Sequence, residues 1–160
     1  MPAPLDVSPL GERELLMTRA LAAPRELVFA CHTRPQLVRR WLLGPPGWTM
    51  PVCEIDARAG GPYRYEWRGP NGETMGASGV HHEVVAPERL VFTQLFDDDW
   101  TGGETLITIA LRETGNGTEL TQTTLFATAA AREAALATGM AEGMESSFQK
   151  LDALLATQPG

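Results

Sequence analysis

The chain has 160 residues, a formal net charge of −7, and 43% hydrophobic against 21% charged residues. That length suits one domain, able to bury roughly 70% of the surface its unfolded chain exposes without a disulfide or metal. The acidic balance argues against a nucleic-acid backbone or an anionic membrane surface as partner, and no run of about 18 apolar residues offers a membrane span.

Residues 1–12 hold three prolines and read as a flexible lead-in to a single domain over 13–157. They lack the basic start and apolar stretch of a signal peptide, so the expected location is cytoplasmic. "ELLMTRAL" (14–21) predicts the first strand. "AAPRELVFACHT" predicts a helix in which Pro24 takes a first-turn position and Leu27, Ala30 and Cys31 share a face. A second short helix, "PQLVRRWLL", ends at Gly44, Pro45 and Pro46.

From residue 48 the period changes from helical to strand-like. Six successive strands are expected, at 48–57, 63–69, 73–85, 89–96, 104–113 and 118–127. Between them lie Ala59-Gly60-Gly61, Pro70-Asn71-Gly72, Ala86-Pro87, the Asp97–Gly103 loop and Gly115-Asn116-Gly117. Such short, turn-rich separators predict an antiparallel meander rather than βαβ units. The chain closes with about 27 residues of predicted helix, in which Leu136, Met140, Met144, Phe148, Leu151 and Leu155 form one apolar stripe. Gly139 and Gly143 lie beside that stripe, each costing roughly 1 kcal/mol relative to alanine in a helix interior. They leave room for a close backbone or for a cavity.

The predicted fold is therefore α+β with a helix-grip arrangement. A seven-stranded curved antiparallel sheet has two short helices after its first strand and a long C-terminal helix across it. One helix covers only part of such a sheet, and the space between them becomes core or cavity.

In this order of elements the chain resembles the START-like, birch-pollen-allergen-like (SRPBCC) superfamily. Within it the chain is similar to the family homologous to the activator of heat-shock-protein-90 ATPase, in the polyketide cyclase/dehydrase and lipid transport group. The resemblance rests on "APRELVFACHTRPQLVRRWL" (23–42), "IDARAGGPYRYEW" (55–67), "GVHHEVVAPERLVFT" (79–93), "GGETLITIALRETGNGTELT" (102–121) and "GMAEGMESSFQKLDALLA" (139–156). It implies an internal hydrophobic cavity lined by the aromatic strand and the C-terminal helix. Relatives that activate the chaperone carry an additional N-terminal domain for which this chain has no room, which argues against chaperone binding. Leu42 stands where many relatives have a second tryptophan after the first, making the surroundings of Trp41 less aromatic.

Tyr63, Tyr65 and Trp67 alternate with Arg64 and Glu66, so a strand places all three rings on one face. They are either core or the wall of a cavity, and the residues alone leave both readings open. Trp41 and Trp48 flank "LLGPPG", a proline-stiffened loop expected near a cavity mouth. Met140, Met144 and Phe148 form the helix side of the same space. His81 and His82 are neighbours on a strand and point to opposite faces; His81 is expected inward, where it is the one candidate catalytic acid or base. The competing reading is structural, with one of the two histidines exposed and the other hydrogen-bonded.

Glu54 and Asp56 share a strand face, and Asp56 precedes a glycine turn where its carboxylate suits backbone N–H groups. Asp97-Asp98-Asp99 lacks the ligand spacing of a calcium loop. Cys31 and Cys53 are expected as reduced, buried thiols, and with three histidines in the chain no metal site or cofactor is expected. No GxSxG, P-loop, HExxH or dinucleotide fingerprint occurs.

The leading functional expectation is binding of a small hydrophobic or amphipathic molecule, its polar end oriented by Tyr63, Tyr65 or His81. Two alternatives stand beside it. One is a cyclase or dehydratase using His81 and a tyrosine on a polyketide-like substrate. The other is a chaperone- or regulator-interacting protein with a vestigial cavity. A homodimer is compatible with the sequence.

Overall fold

The computed structural model describes residues 5–157. Its eight strands form one antiparallel sheet: β1 (Asp6–Leu10), β2 (Glu14–Leu21), β3 (Thr49–Ile55), β4 (Pro62–Arg68), β5 (Thr74–Val85), β6 (Arg89–Phe96), β7 (Thr105–Thr114) and β8 (Gly117–Leu125). The spatial order is β1-β2-β8-β7-β6-β5-β4-β3, so the predicted meander runs from β3 to β8 and β2 returns beside β8. Two short helices, α1 (Arg25–Thr33) and α2 (Pro35–Val38), link β2 to β3. Pro24 is the N-cap of α1 rather than a first-turn residue.

The sheet has eight strands, not the seven expected. The additional strand lies within the supposed lead-in, where Asp6–Leu10 pairs with Thr18–Glu14; residues 1–4 lie outside the described residues. Pro9 sits in this strand because β1 is the sheet edge, where a missing N–H breaks no inner ladder.

The C-terminal helix is also divided. Thr128 caps α3 (Ala129–Leu136), its hydroxyl accepting the Ala131 N–H at 3.0 Å, and α4 (Met140–Thr157) follows after a break. The break falls at Gly139, whose φ of 84° is left-handed backbone that glycine adopts without a Cβ penalty. α3 packs through Ala131 and Ala135 on Leu15 and Phe126, while α4 lays Phe148, Leu151, Leu154 and Leu155 over the sheet. Among the described residues no helix is long and apolar enough to cross a membrane.

The main core lies between α1, α4 and the middle of the sheet, where Val28, Cys31 and Trp41 meet Ile109, Leu111 and Leu120. A second cluster gathers Val38, Met50, Cys53, Tyr63 and Tyr65 at the β3–β4 end. Register shifts in β3 and between His81 and Glu83 in β5 bend that end of the sheet. The second shift leaves His81 buried and His82 exposed, so they point apart as expected.

Close approach is strictest at Gly79 of β5, where an added Cβ would overlap the Thr93 carbonyl oxygen of β6. That oxygen also accepts the Tyr63 hydroxyl. Gly79→Ala is expected to cost roughly 1–3 kcal/mol of unfolding free energy, measured by urea denaturation, because backbone must shift to admit one methyl group.

Candidate ligand cavity

A cavity of about 560 Å³ lies between the sheet and the α3–α4 junction. Alternation along three neighbouring strands builds its floor: Gln94 and Phe96 from β6, Thr105 and Ile107 from β7, Gln122 and Thr124 from β8. Met140, Gly143, Met144 and Ser147 of α4 form the opposite wall. Trp48, Trp67, Met75 and Trp100 enclose the sides, and the exposed Pro45, Asp98, Thr138 and Gly139 mark where the space meets solvent.

The loop after α2 is held against α4 through one residue. Gly44 donates its N–H to Ser147 Oγ at 2.8 Å, and its carbonyl accepts from Ser146 Oγ at 2.9 Å and Lys150 Nζ at 2.7 Å. Trp67 anchors the same loop, its Nε1 donating to the Leu42 carbonyl at 2.7 Å while its ring stacks on Phe96. Among the described residues Trp100 Nε1 is the one occluded side-chain nitrogen or oxygen without a hydrogen-bond partner.

A second space of about 80 Å³ lies deeper, under α1 and the end of β4. Leu42, Gln94, Ile107, Gln122 and Met144 line both spaces, so the small one is an inner extension of the large one. Its remaining walls include His32, Trp41, Tyr63, Tyr65, His81 and Phe92. Tyr63 rests on Tyr65, His81 and Phe92 with ring centroids 4.9, 5.5 and 5.6 Å away.

The candidate residues thus separate. Trp48, Trp67 and Met140 line the large space, Met144 lines both, and Trp41, Tyr63, Tyr65 and His81 line the inner one. Phe148 lines neither: it is fully buried and stacked on Trp41, whose Nε1 donates to the Cys31 carbonyl at 2.7 Å. Tyr63, Tyr65 and Trp67 do share a face, but only Trp67 reaches the large cavity. Sequence reading missed Gln94, Thr105, Gln122, Thr124, Met75 and Trp100. Gln94 and Thr105 carried a signal, being polar residues in inward registers of β6 and β7 that are otherwise apolar, whereas the inward register of β8 is itself mostly polar and hid Gln122 and Thr124.

Burial sets the protonation of several of these groups. It pushes both phenols above the ordinary tyrosine value, so Tyr63 and Tyr65 keep their protons. It holds His32 below the usual imidazole value despite the backbone bond to Val28. It raises Cys31 and Cys53 to about 11, leaving unreactive thiols. Among the described residues no group of three histidine, cysteine or carboxylate side chains is placed to hold a metal ion.

The family model described as Activator of Hsp90 ATPase homolog 1-like protein matches residues 22–156. A crystal structure of a Rhodobacter sphaeroides protein is 36% identical, with a TM-score of 0.92 over 98% of this chain and 100% of that one. A Nitrosomonas europaea protein is 29% identical, TM-score 0.82, covering 92% of this chain and 97% of that one. A Mycobacterium smegmatis protein is 27% identical, TM-score 0.84, covering 98% and 100%. Comparison with curated proteins finds no match.

Proposed function

The chain belongs to the Activator of Hsp90 ATPase homolog 1-like family, and on that premise we propose that it binds a small hydrophobic or amphipathic molecule between the curved sheet and α4. The observation that carries this reading is the cavity of about 560 Å³, which falls within the roughly 300–1,000 Å³ of small-molecule sites. A fold used only for surface contacts has no need to keep such a space open, since close packing of it would add stability. Trp48, Trp67, Met140 and Met144 supply apolar contact, and binding draws its free energy from apolar area removed from water, roughly 25 cal/mol per Å². Methionine side chains adapt to ligand shape, which suits a wall formed by one face of α4.

The test is titration with N-phenyl-1-naphthylamine, an uncharged fluorophore that brightens in apolar surroundings, together with native mass spectrometry of the purified protein. Saturable, one-to-one enhancement, or a discrete mass beyond that of the denatured chain, is the expected result. A response that neither saturates nor competes with other apolar molecules would overturn the reading.

A further inference from the structure

We infer that the outer face of the sheet is the contact surface of a reversible homodimer, in which two copies stack face to face through β2, β8, β7 and β6. The helices and the cavity lie on the inner face, so among the described residues no layer covers the outer one. The strand register fixes what that face presents. Leu16, Thr123, Thr108 and Val91 stand side by side in one row across the four strands. Leu125, Leu106 and Thr93 form the row on one side of it, and Thr18, Thr121 and Ala110 the row on the other. All of them alternate with inward residues such as Met17, Leu90, Ile109 and Leu120. None is charged, and the apolar ones among them belong to none of the three core clusters. The exposed large hydrophobic residues Leu10, Val80, Val85 and Leu95 also point outward, around the same block. A contiguous uncharged patch of this kind with a polar margin marks an interaction surface.

Charge, shape and area identify the occupant as a second copy of the chain. Each chain carries a net charge of −7, so two copies repel unless they meet where neither is charged. Charged side chains return at the margins. Asp6 and Arg89 close the two ends of the row that holds Thr18, Thr121 and Ala110. A two-fold axis parallel to the strands lays β2 of one copy on β6 of the other, setting the Asp6 end of that row against the Arg89 end. The block has no aromatic or long side chain, so two copies can approach to the roughly 10 Å of stacked sheets. Four strands and three rows span roughly 19 by 20 Å. With the exposed hydrophobic residues at its edges, each copy offers on the order of 500 Å², or about 1,000 Å² for the pair, the low end of specific contacts. The dimer therefore dissociates on dilution.

Sedimentation velocity over roughly a hundredfold range of concentration, from micromolar to submillimolar, tests this. The wild type is expected to shift from one chain toward two as concentration rises. Thr108 is half-buried in the middle row, and Thr108→Lys and Thr108→Glu each set a charge against its own copy. Each should weaken self-association at least tenfold. An equimolar mixture of the two variants should recover it, because unlike charges then meet. Urea denaturation checks that the variants fold. If either Thr108 variant is destabilised, Thr123→Lys and Thr123→Glu on neighbouring β8 make the same test. Wild type that sediments as one chain at every concentration overturns the inference, and flotation of that monomer with phosphatidylcholine vesicles would assign the face to a lipid surface instead. Dimers that survive both substitutions overturn it too, since the copies then meet elsewhere. Loss in both variants without recovery in the mixture overturns the face-to-face arrangement. None of these outcomes bears on the cavity, which lies on the other side of the sheet.

Discussion

A Gly143→Phe variant is expected to lose ligand binding by at least tenfold while remaining as stable as the wild type. Gly143 is in the first turn of α4 and lines the large cavity, and a Cβ built there meets no atom within 4 Å. The new ring would project into the space the ligand needs. Helix propensity favours the change, because glycine costs roughly 1 kcal/mol relative to alanine and phenylalanine costs less. If the space were closed core, the same substitution would overpack it and cost about 1–3 kcal/mol. Fluorophore titration and urea denaturation, run side by side, separate the two. Lost binding with unchanged or higher stability supports the cavity, and lower stability with retained binding refutes it.

Arg19→Met is expected to be the most destabilising of the substitutions considered, by roughly 2–4 kcal/mol. Arg19 lies in β2 at 2% exposure, in the inward register that Leu15, Met17 and Leu21 otherwise fill. Its Nη2 is 2.7 Å from Asp152 Oδ2 and its Nε is 3.1 Å from Glu145 Oε1, so one guanidinium ties β2 to two turns of α4. The same Glu145 oxygen accepts the Leu5 N–H at 2.9 Å, bringing the start of the described chain into the cluster. Methionine preserves much of the packing but leaves two carboxylates without their cation. Their partial exposure keeps the cost below that of a sealed pair.

The same cluster sets an acid response. Burial opposes ionisation of Glu145, but the Leu5 N–H, Gln149 and Arg19 outweigh it and hold its pKa below the ordinary value. A depressed carboxylate contributes stability above its unfolded pKa of about 4.3 and loses it as pH falls through the lower folded value. Wild type should therefore lose more stability than Arg19→Met over that acid range, and their unfolding midpoints should converge. A constant gap between them from neutral to acid pH would show that Arg19 acts through packing alone.

Much of the architecture was legible because its signals are local. Turn residues such as Pro70-Asn71-Gly72 and Gly115-Asn116-Gly117 delimit β4 to β5 and β7 to β8, and period-two alternation between them marks the strands. The two departures also have local causes that a count of breakers misjudges. Prolines made 1–12 look unstructured, yet Pro9 is tolerated on an edge strand. The continuous stripe from Leu136 to Leu155 concealed a stop at Gly139, which weighs little in a periodicity and decides the backbone.

The site divides in the same way. The sequence determined that Tyr63, Tyr65 and Trp67 share one face, that Met140 and Met144 belong to one helical stripe, and that His81 and His82 point apart. These follow from bond geometry and the repeat of a strand or helix. Only the tertiary structure decided which of those rings touch open space. Trp67 borders the large cavity, Tyr65 and His81 border its inner extension, and Phe148, from the same stripe as Met144, is sealed against Trp41. The physical reason is that a cavity is a separation between elements distant in sequence. The gap between α4 and the sheet is set by where Gly44 is tied to Ser147 and Lys150, and Arg19 to Glu145 and Asp152, contacts spanning more than a hundred residues that no local periodicity encodes.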